Sequence, residues 1–200
     1  MKLPEQSGSF EKCPAGNHLA LCYEVIDLGT QDVMTPDGQK RQHKIWIGWE
    51  TCFEKMEDGR PFVIGRKYTL SSHEKSTLRK DLESWRGKAF SDEDFGSFEI
   101  GNVLGVGCFL NVVHVEKGDR TYANIQAVAA LPKGTDTPDL VNAKVLLDLT
   151  EEGYDPVVFD NLSDRMKEWV SGSPEWQAVT GGSPVAVKPI DESDDNESPF

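Results

Sequence analysis

Apolar residues recur at every second position across "HLALCYEVIDLG", at Leu19, Leu21, Tyr23 and Val25. That alternation predicts a half-buried strand. A turn is marked at "TPDGQ" by Pro36 and Asp37-Gly38. "HKIWIGWETCF" predicts a second strand, with Ile45, Ile47 and Trp49 on one face and Lys44, Trp46 and Gly48 on the other. After a loop around Asp58-Gly59, "PFVIGRKYTLSS" predicts a third. Its faces carry Phe62, Ile64, Arg66, Tyr68 and Leu70 on one side and Val63, Lys67 and Thr69 on the other. The period then changes. In "SSHEKSTLRKDLESWRGKAF", Leu78, Leu82 and Trp85 form one helical stripe. Ser72 is its candidate cap and Gly87 its stop. "SDEDFGS" reads as an acidic loop. "VGCFLNVVHVEKGDRTYANIQAVAAL" reads as a hairpin turning at Gly118. Further on, "AKVLLDL" suggests a short strand. "NLSDRMKEWVSGSPEW" suggests a short helix capped near Asn161 or Ser163, with Met166 and either Trp169 or Val170 facing inward.

Three strands, a helix and a closing hairpin make the chain mainly β with one central helix. This is the element order of an OB-fold, a five-stranded Greek-key barrel with its helix between strands three and four. Other β-rich folds share that order. The expected organisation is a flexible arm over 1–16, the barrel over 17–135, and an extension with a short strand and helix over 136–176. A disordered acidic tail is expected over 177–200, where Gly, Ser, Pro and acids dominate.

Two hundred residues suit one domain with appendages. The apolar runs fall well short of the roughly 20 residues a membrane span needs. "MKLPEQSGSFEKCPAG" has no apolar segment typical of a signal peptide. The expectation is a cytoplasmic protein without membrane contact. Cys13, Cys22, Cys52 and Cys108 form no C-x-x-C pair and read as reduced, buried thiols. "CPAGNHLALC" places Cys13, His18 and Cys22 close together, but a fourth zinc ligand is missing locally. No metal and no cofactor are expected.

Catalytic motifs fail on inspection. "HEKS" at His73 lacks the second histidine of H-E-x-x-H, and "GVGCFL" lacks the third glycine of a dinucleotide loop and leads into a strand. The acids of 91–99 read as a solvated loop, and His114 as an ordinary strand histidine. No catalytic residues are expected. Net charge is −13, which opposes nucleic-acid binding when taken alone. The distribution is polarised, however. Residues 40–90 hold 12 Lys/Arg against 7 Asp/Glu, whereas the rest hold 9 against 27. Aromatic residues interleave with this basic stretch, as single-stranded nucleic acid requires: cations track phosphates while bases stack on flat rings. The second and third strands carry "HKIWIGW" and "GRKY", and in an OB-fold that face is the usual binding surface. Lys44, Trp46, Arg66, Lys67 and Tyr68 are therefore candidate DNA contacts. Arg79, Lys80 and Arg86 on the helix and Tyr122 on the last strand are further candidates. Trp49, in line with Ile45 and Ile47, is the expected core ring.

Three stretches, "PAGNHLALCYEVIDLGTQ" (14–31), "YTLSSHEKSTLRKDLESWRGKAF" (68–90) and "LGVGCFLNVVHVEKGDRTYANI" (104–125), resemble the phage-type single-stranded DNA-binding proteins. The ending "DESDDNESPF" resembles the acidic tails of such proteins, which finish in a terminal Phe. The resemblance implies an OB-fold core that coats single-stranded DNA in replication or recombination, without catalysis and without sequence specificity. It implies that Asp194, Asp195, Pro199 and Phe200 recruit replication or recombination proteins. A homodimer is compatible with it. The acidic surface keeps a second reading open, in which the barrel is a protein-interaction module or recombination adaptor that does not coat DNA. A metal-dependent nuclease is a third.

Overall fold

The computed structural model describes residues 11–183 and 187–191 of the 200-residue chain. Its frame is an open antiparallel sheet in the order β3-β2-β1-β4-β5. The strands are β1 (Gly16–Thr35), β2 (Gly38–Lys55), β3 (Pro61–Thr69), β4 (Gly107–Lys117) and β5 (Arg120–Ala129). The five expected strands and the turn at Gly118, whose φ is 62°, are all found. Helix α1 (Thr77–Arg86) follows β3 in the chain and packs against β3 and β5. Those two strands, at opposite ends of the sheet path, also touch each other, with no hydrogen-bonded ladder between them among the described residues.

The alternation predicted for the first strand changes phase. β1 bulges between Cys22 and Glu24 and again between Asp27 and Gly29. An extra residue in one strand flips every later side chain to the other face. Ala20, Cys22 and Val25 therefore enter the main core. Leu19 and Leu21 face a small outer cluster with Cys52 instead. β1 is long enough to serve several partners along its second edge. β4 pairs with Gly16–Leu21, β6 (Val145–Leu147) runs parallel to Glu24–Ile26, and β7 (Ile190–Asp191) runs parallel to Val33–Met34.

α1 buries Leu78, Leu82 and Trp85 as its stripe predicts and ends at Gly87 in the left-handed region. Its cap is Ser76, whose hydroxyl accepts from the Arg79 amide, rather than Ser72. "SDEDFGS" contains a short helix, α2 (Asp92–Gly96), capped by Ser91. A single 3-10 turn, Ile100–Val103, then leads to β4. The extension holds β6 and three short helices, α3 (Pro156–Asp160), α4 (Asp164–Ser171) and α5 (Pro174–Thr180). Ser163 caps α4, and Met166, Trp169 and Val170 are all buried. Regular structure thus continues past residue 177, where the tail was expected to begin. At the other end Cys13 is buried, and its carbonyl lies 2.8 Å from His114 Nε2.

Two cores result. The main one lies on the face of the sheet carrying Ile45, Ile47, Trp49, Phe62, Ile64 and Tyr68 and is closed by α1. Trp49 sits there as expected, 5.6 Å from Trp85 between ring centroids. The second lies on the opposite face, where the extension packs on β1 and β2 through Ile26, Leu28, Trp46, Leu147, Met166 and Trp169.

Candidate nucleic-acid interface

The second core decides the fate of the expected binding face. Lys44, Trp46 and Lys67 share the outer face of β2 and β3, but the extension covers it. Lys44 and Trp46 are 0% exposed and Lys67 is 2% exposed. The Trp46 ring packs closely against the β3 backbone: a Cβ added to Gly65 would stand 2.1 Å from its Cζ2. Its Nε1 donates to Glu24 Oε2 at 3.0 Å. Lys67 Nζ sits 4.5 Å from the centroid of Trp169, and Arg165 lies 5.2 Å from the same ring. Burying a large apolar side chain contributes about 1.5–3 kcal/mol, so the eight or more in this cluster hold the extension down by an amount on the order of 10–20 kcal/mol. A stacked base contributes about 1–3 kcal/mol and cannot lift that cover. Lys44, Trp46 and Lys67 are thus corrected from DNA contacts to interior residues.

Tyr68 is corrected likewise. It points into the main core, 2% exposed, and its hydroxyl donates to Asp81 at 2.8 Å. Burial raises its pKa well above the ordinary tyrosine value. Arg66 pairs with the same carboxylate at 3.1 Å and remains partly exposed. Burial pushes the Asp81 carboxyl up, against the opposing pull of Tyr68 and Arg66. Arg79 is buried and spent on structure: it holds Glu83 at 3.1 Å, Asp92 at 2.7 Å and the Phe90 carbonyl at 3.0 Å. Lys80 and Arg86 are exposed, the latter stacked 4.5 Å over Phe90. Tyr122 is half-buried. Of the nine expected contacts, Arg66, Lys80, Arg86 and Tyr122 keep access to solvent. Asp194, Asp195, Pro199 and Phe200 lie outside the described residues.

Two cavities lie along β3. The larger, about 720 Å³, touches Pro61, Val63 and Ile64 at the start of the strand. Tyr23 and Glu24 line it at the first β1 bulge. Lys12, Arg60, Arg120 and Tyr122 line it from the arm and from the ends of the β2–β3 and β4–β5 hairpins, with the acids Glu11 and Asp119 beside them. Arg60 also pairs with Asp58 at 2.7 Å. The smaller, about 350 Å³, touches Arg66–Thr69 at the far end of β3, with Ser71, His73, Lys75, Ser76 and Thr77. Among the described residues no carboxylate lines it. The sequence offered a signal for the missed cations: Arg60 and Arg120 each follow a Gly-containing turn, where hairpin tips present side chains outward.

Glu24 is the unusual group in the larger cavity. It is 6% exposed. Burial raises its pKa to about 7, while hydrogen bonds from Trp46 and Tyr23 act to lower it. The four cysteines are free and buried. Burial raises Cys13 to about 12 and Cys52 to about 11, so neither is a ready thiolate. Among the described residues no three His, Cys, Asp or Glu side chains gather as a metal site. His18 lies instead 2.8 Å from the Pro14 carbonyl and 3.3 Å from Glu54. No described helix is long and apolar enough to cross a membrane. Comparison with protein-family models and with curated proteins finds no match.

Proposed function

We propose that the protein binds single-stranded DNA without catalysis, laying the strand along β3 from the larger cavity to the smaller. The observation that carries this is the pair of cavities at opposite ends of one strand, the first bordered by Lys12, Arg60, Arg120 and Tyr122 together with Glu11 and Asp119, the second without a carboxylate among the described residues. β3 has nine residues and spans roughly 30 Å. That length suits the low end of the 4–16 nucleotides that OB-folds hold. The strand order, the helix between the third and fourth strands and the contact of β3 with β5 support an OB-type barrel. In this reading the extension closes the usual β2–β3 face and moves the nucleic acid to the β3 edge. Tyr122 stacks on a base, and the tip arginines hold phosphates. The tail residues Asp194, Asp195, Pro199 and Phe200 recruit replication or recombination proteins in the cytoplasm.

The test is an oligo-dT titration at several salt concentrations, comparing the wild type with Arg60→Gln/Arg120→Gln. Removing one phosphate-binding cation makes the slope of log affinity against log salt shallower by about 1. The double variant binds more weakly, with a slope shallower by about 2. Folded wild-type protein that fails to bind at about 50 mM salt defeats the proposal. The net charge of −13 and the covered β2–β3 face favour the second reading, an adaptor that binds protein instead. The same failed titration would select it.

A further inference from the structure

The larger cavity carries chemistry that phosphate binding does not use. Glu24 lines it as a buried carboxyl, and burying such a group is costly unless it is well partnered. Oε2 accepts from Trp46 Nε1 at 3.0 Å. Two amides, Asn142 and Asn161, line the same space. One N–H of each is already committed, Asn142 Nδ2 to Glu50 Oε2 at 2.6 Å and Asn161 Nδ2 to the Val157 carbonyl at 2.8 Å. Each amide therefore brings a carbonyl oxygen as acceptor and a second N–H as donor. The cavity thus combines acceptors, apolar walls at Val63 and Ile64, and at its edge the cations Lys12, Arg60 and Arg120 beside Glu11 and Asp119. Its complement is a flat group with an apolar face, an N–H donor on one edge and a phosphate attached. Adenine, cytosine and guanine each carry an exocyclic amino group; thymine shows a carbonyl in its place and keeps only the ring N3–H as a donor. A space of about 720 Å³ has ample room for one nucleotide.

We propose that this cavity is a base-reading subsite in which Glu24, flanked by Asn142 and Asn161, accepts a hydrogen bond from the exocyclic amine of cytosine, adenine or guanine and disfavours thymine. The inference rests on the single-stranded DNA reading above and adds a preference to it. Glu24→Gln is the incisive change. Glutamine keeps the size and keeps an oxygen for Trp46, but turns an NH₂ donor toward the base.

The experiment titrates full-length protein with oligo-dC and oligo-dT of equal length at pH 8. Two pyrimidines keep ring size and backbone alike, and pH 8 keeps the carboxyl ionised. Wild-type protein binds dC about tenfold more tightly than dT, the scale of one hydrogen bond to a charged group. Glu24→Gln brings the two within about twofold, with the salt slope unchanged, and Arg60→Gln weakens both equally. Wild-type binding that is tight but equal for dC and dT overturns the subsite and leaves the DNA reading standing. A dC preference that survives Glu24→Gln overturns the assignment to Glu24. Failure to bind either oligonucleotide removes the DNA reading and the subsite with it. The wild-type comparison needs no variant to fold.

Discussion

Trp46→Phe separates a ring that holds two layers together from a ring that stacks on bases. Phenylalanine keeps an aromatic face but loses Nε1 and a ring's worth of volume. The lost indole bond to Glu24, 3.0 Å long and buried, costs about 1–3 kcal/mol. The missing atoms leave roughly 40 Å³ of cavity, which at about 24 cal/mol per Å³ adds about 1 kcal/mol. The sum is about 2–4 kcal/mol, toward the lower end where Glu24 is neutral and its bond weaker. With a urea m-value of about 2–3 kcal/mol/M, the unfolding midpoint drops by about 1 M. Circular dichroism in urea reads that shift, and oligo-dT titration of the folded variant reads the other half. Affinity stays within about twofold, because no part of Trp46 reaches solvent. An unchanged urea midpoint with affinity down tenfold or more would refute the reasoning and return Trp46 to the surface.

Lys44→Met and Lys67→Met leave oligonucleotide affinity and its salt slope unchanged, because both side chains are buried; a slope shallower by about 1 for either would place it on a phosphate. Gly65→Ala lowers the urea midpoint, since its Cβ would stand 2.1 Å from Trp46 and 2.7 Å from the Ile47 carbonyl, an overpacking that costs about 1–3 kcal/mol or more; a midpoint equal to wild type would mean the ring does not lie on the β3 backbone. His43 stands 2.6 Å from Asp27 and 3.7 Å from Glu175 on α5, and the bond to Asp27 raises its pKa above 6.5 despite burial. A histidine raised on folding stabilises fully below its unfolded value and loses that contribution as pH rises through its folded value. Thermal unfolding across that range should therefore show wild type losing stability that His43→Gln never had, and parallel curves would remove the pair from the account.

The strands were legible because alternation is local: a residue's face follows from its neighbours two positions away. The β1 bulge was not, because nothing in "ALCYEV" says that β4 leaves the edge after Leu21 and β6 takes it over at Glu24. The cap of α1 could have been read better. Ser76 stands two residues before Leu78, the first apolar position of the stripe, whereas Ser72 stands six before it. Hairpin tips were legible as turns, and their cations follow from them. That Arg60, Arg120 and Lys12 border one cavity depends on how three distant segments fold together.

The misread face is the most informative case. Lys44, Trp46 and Lys67 form a pattern of cations beside an aromatic ring, and that pattern has two physical solutions. In one, the ring meets a base and the lysines meet phosphates. In the other, the ring meets glycine backbone and a lysine meets a second ring, with the charge desolvated against aromatic faces. The same residue types serve both. The hint that separates them lies in Gly48 and Gly65, which flank Trp46 on its own face and let the indole pack closely. A base-stacking ring needs solvent above it; a ring with glycine beneath is shaped to be covered. The shared apolar cluster also implies that the extension folds together with the sheet, since either layer alone would leave Trp46, Ile26 and Leu28 open to water. By closing one face of β2 and β3, the extension leaves the β3 edge, with a cavity at each end, as the part of this sheet end that stays open.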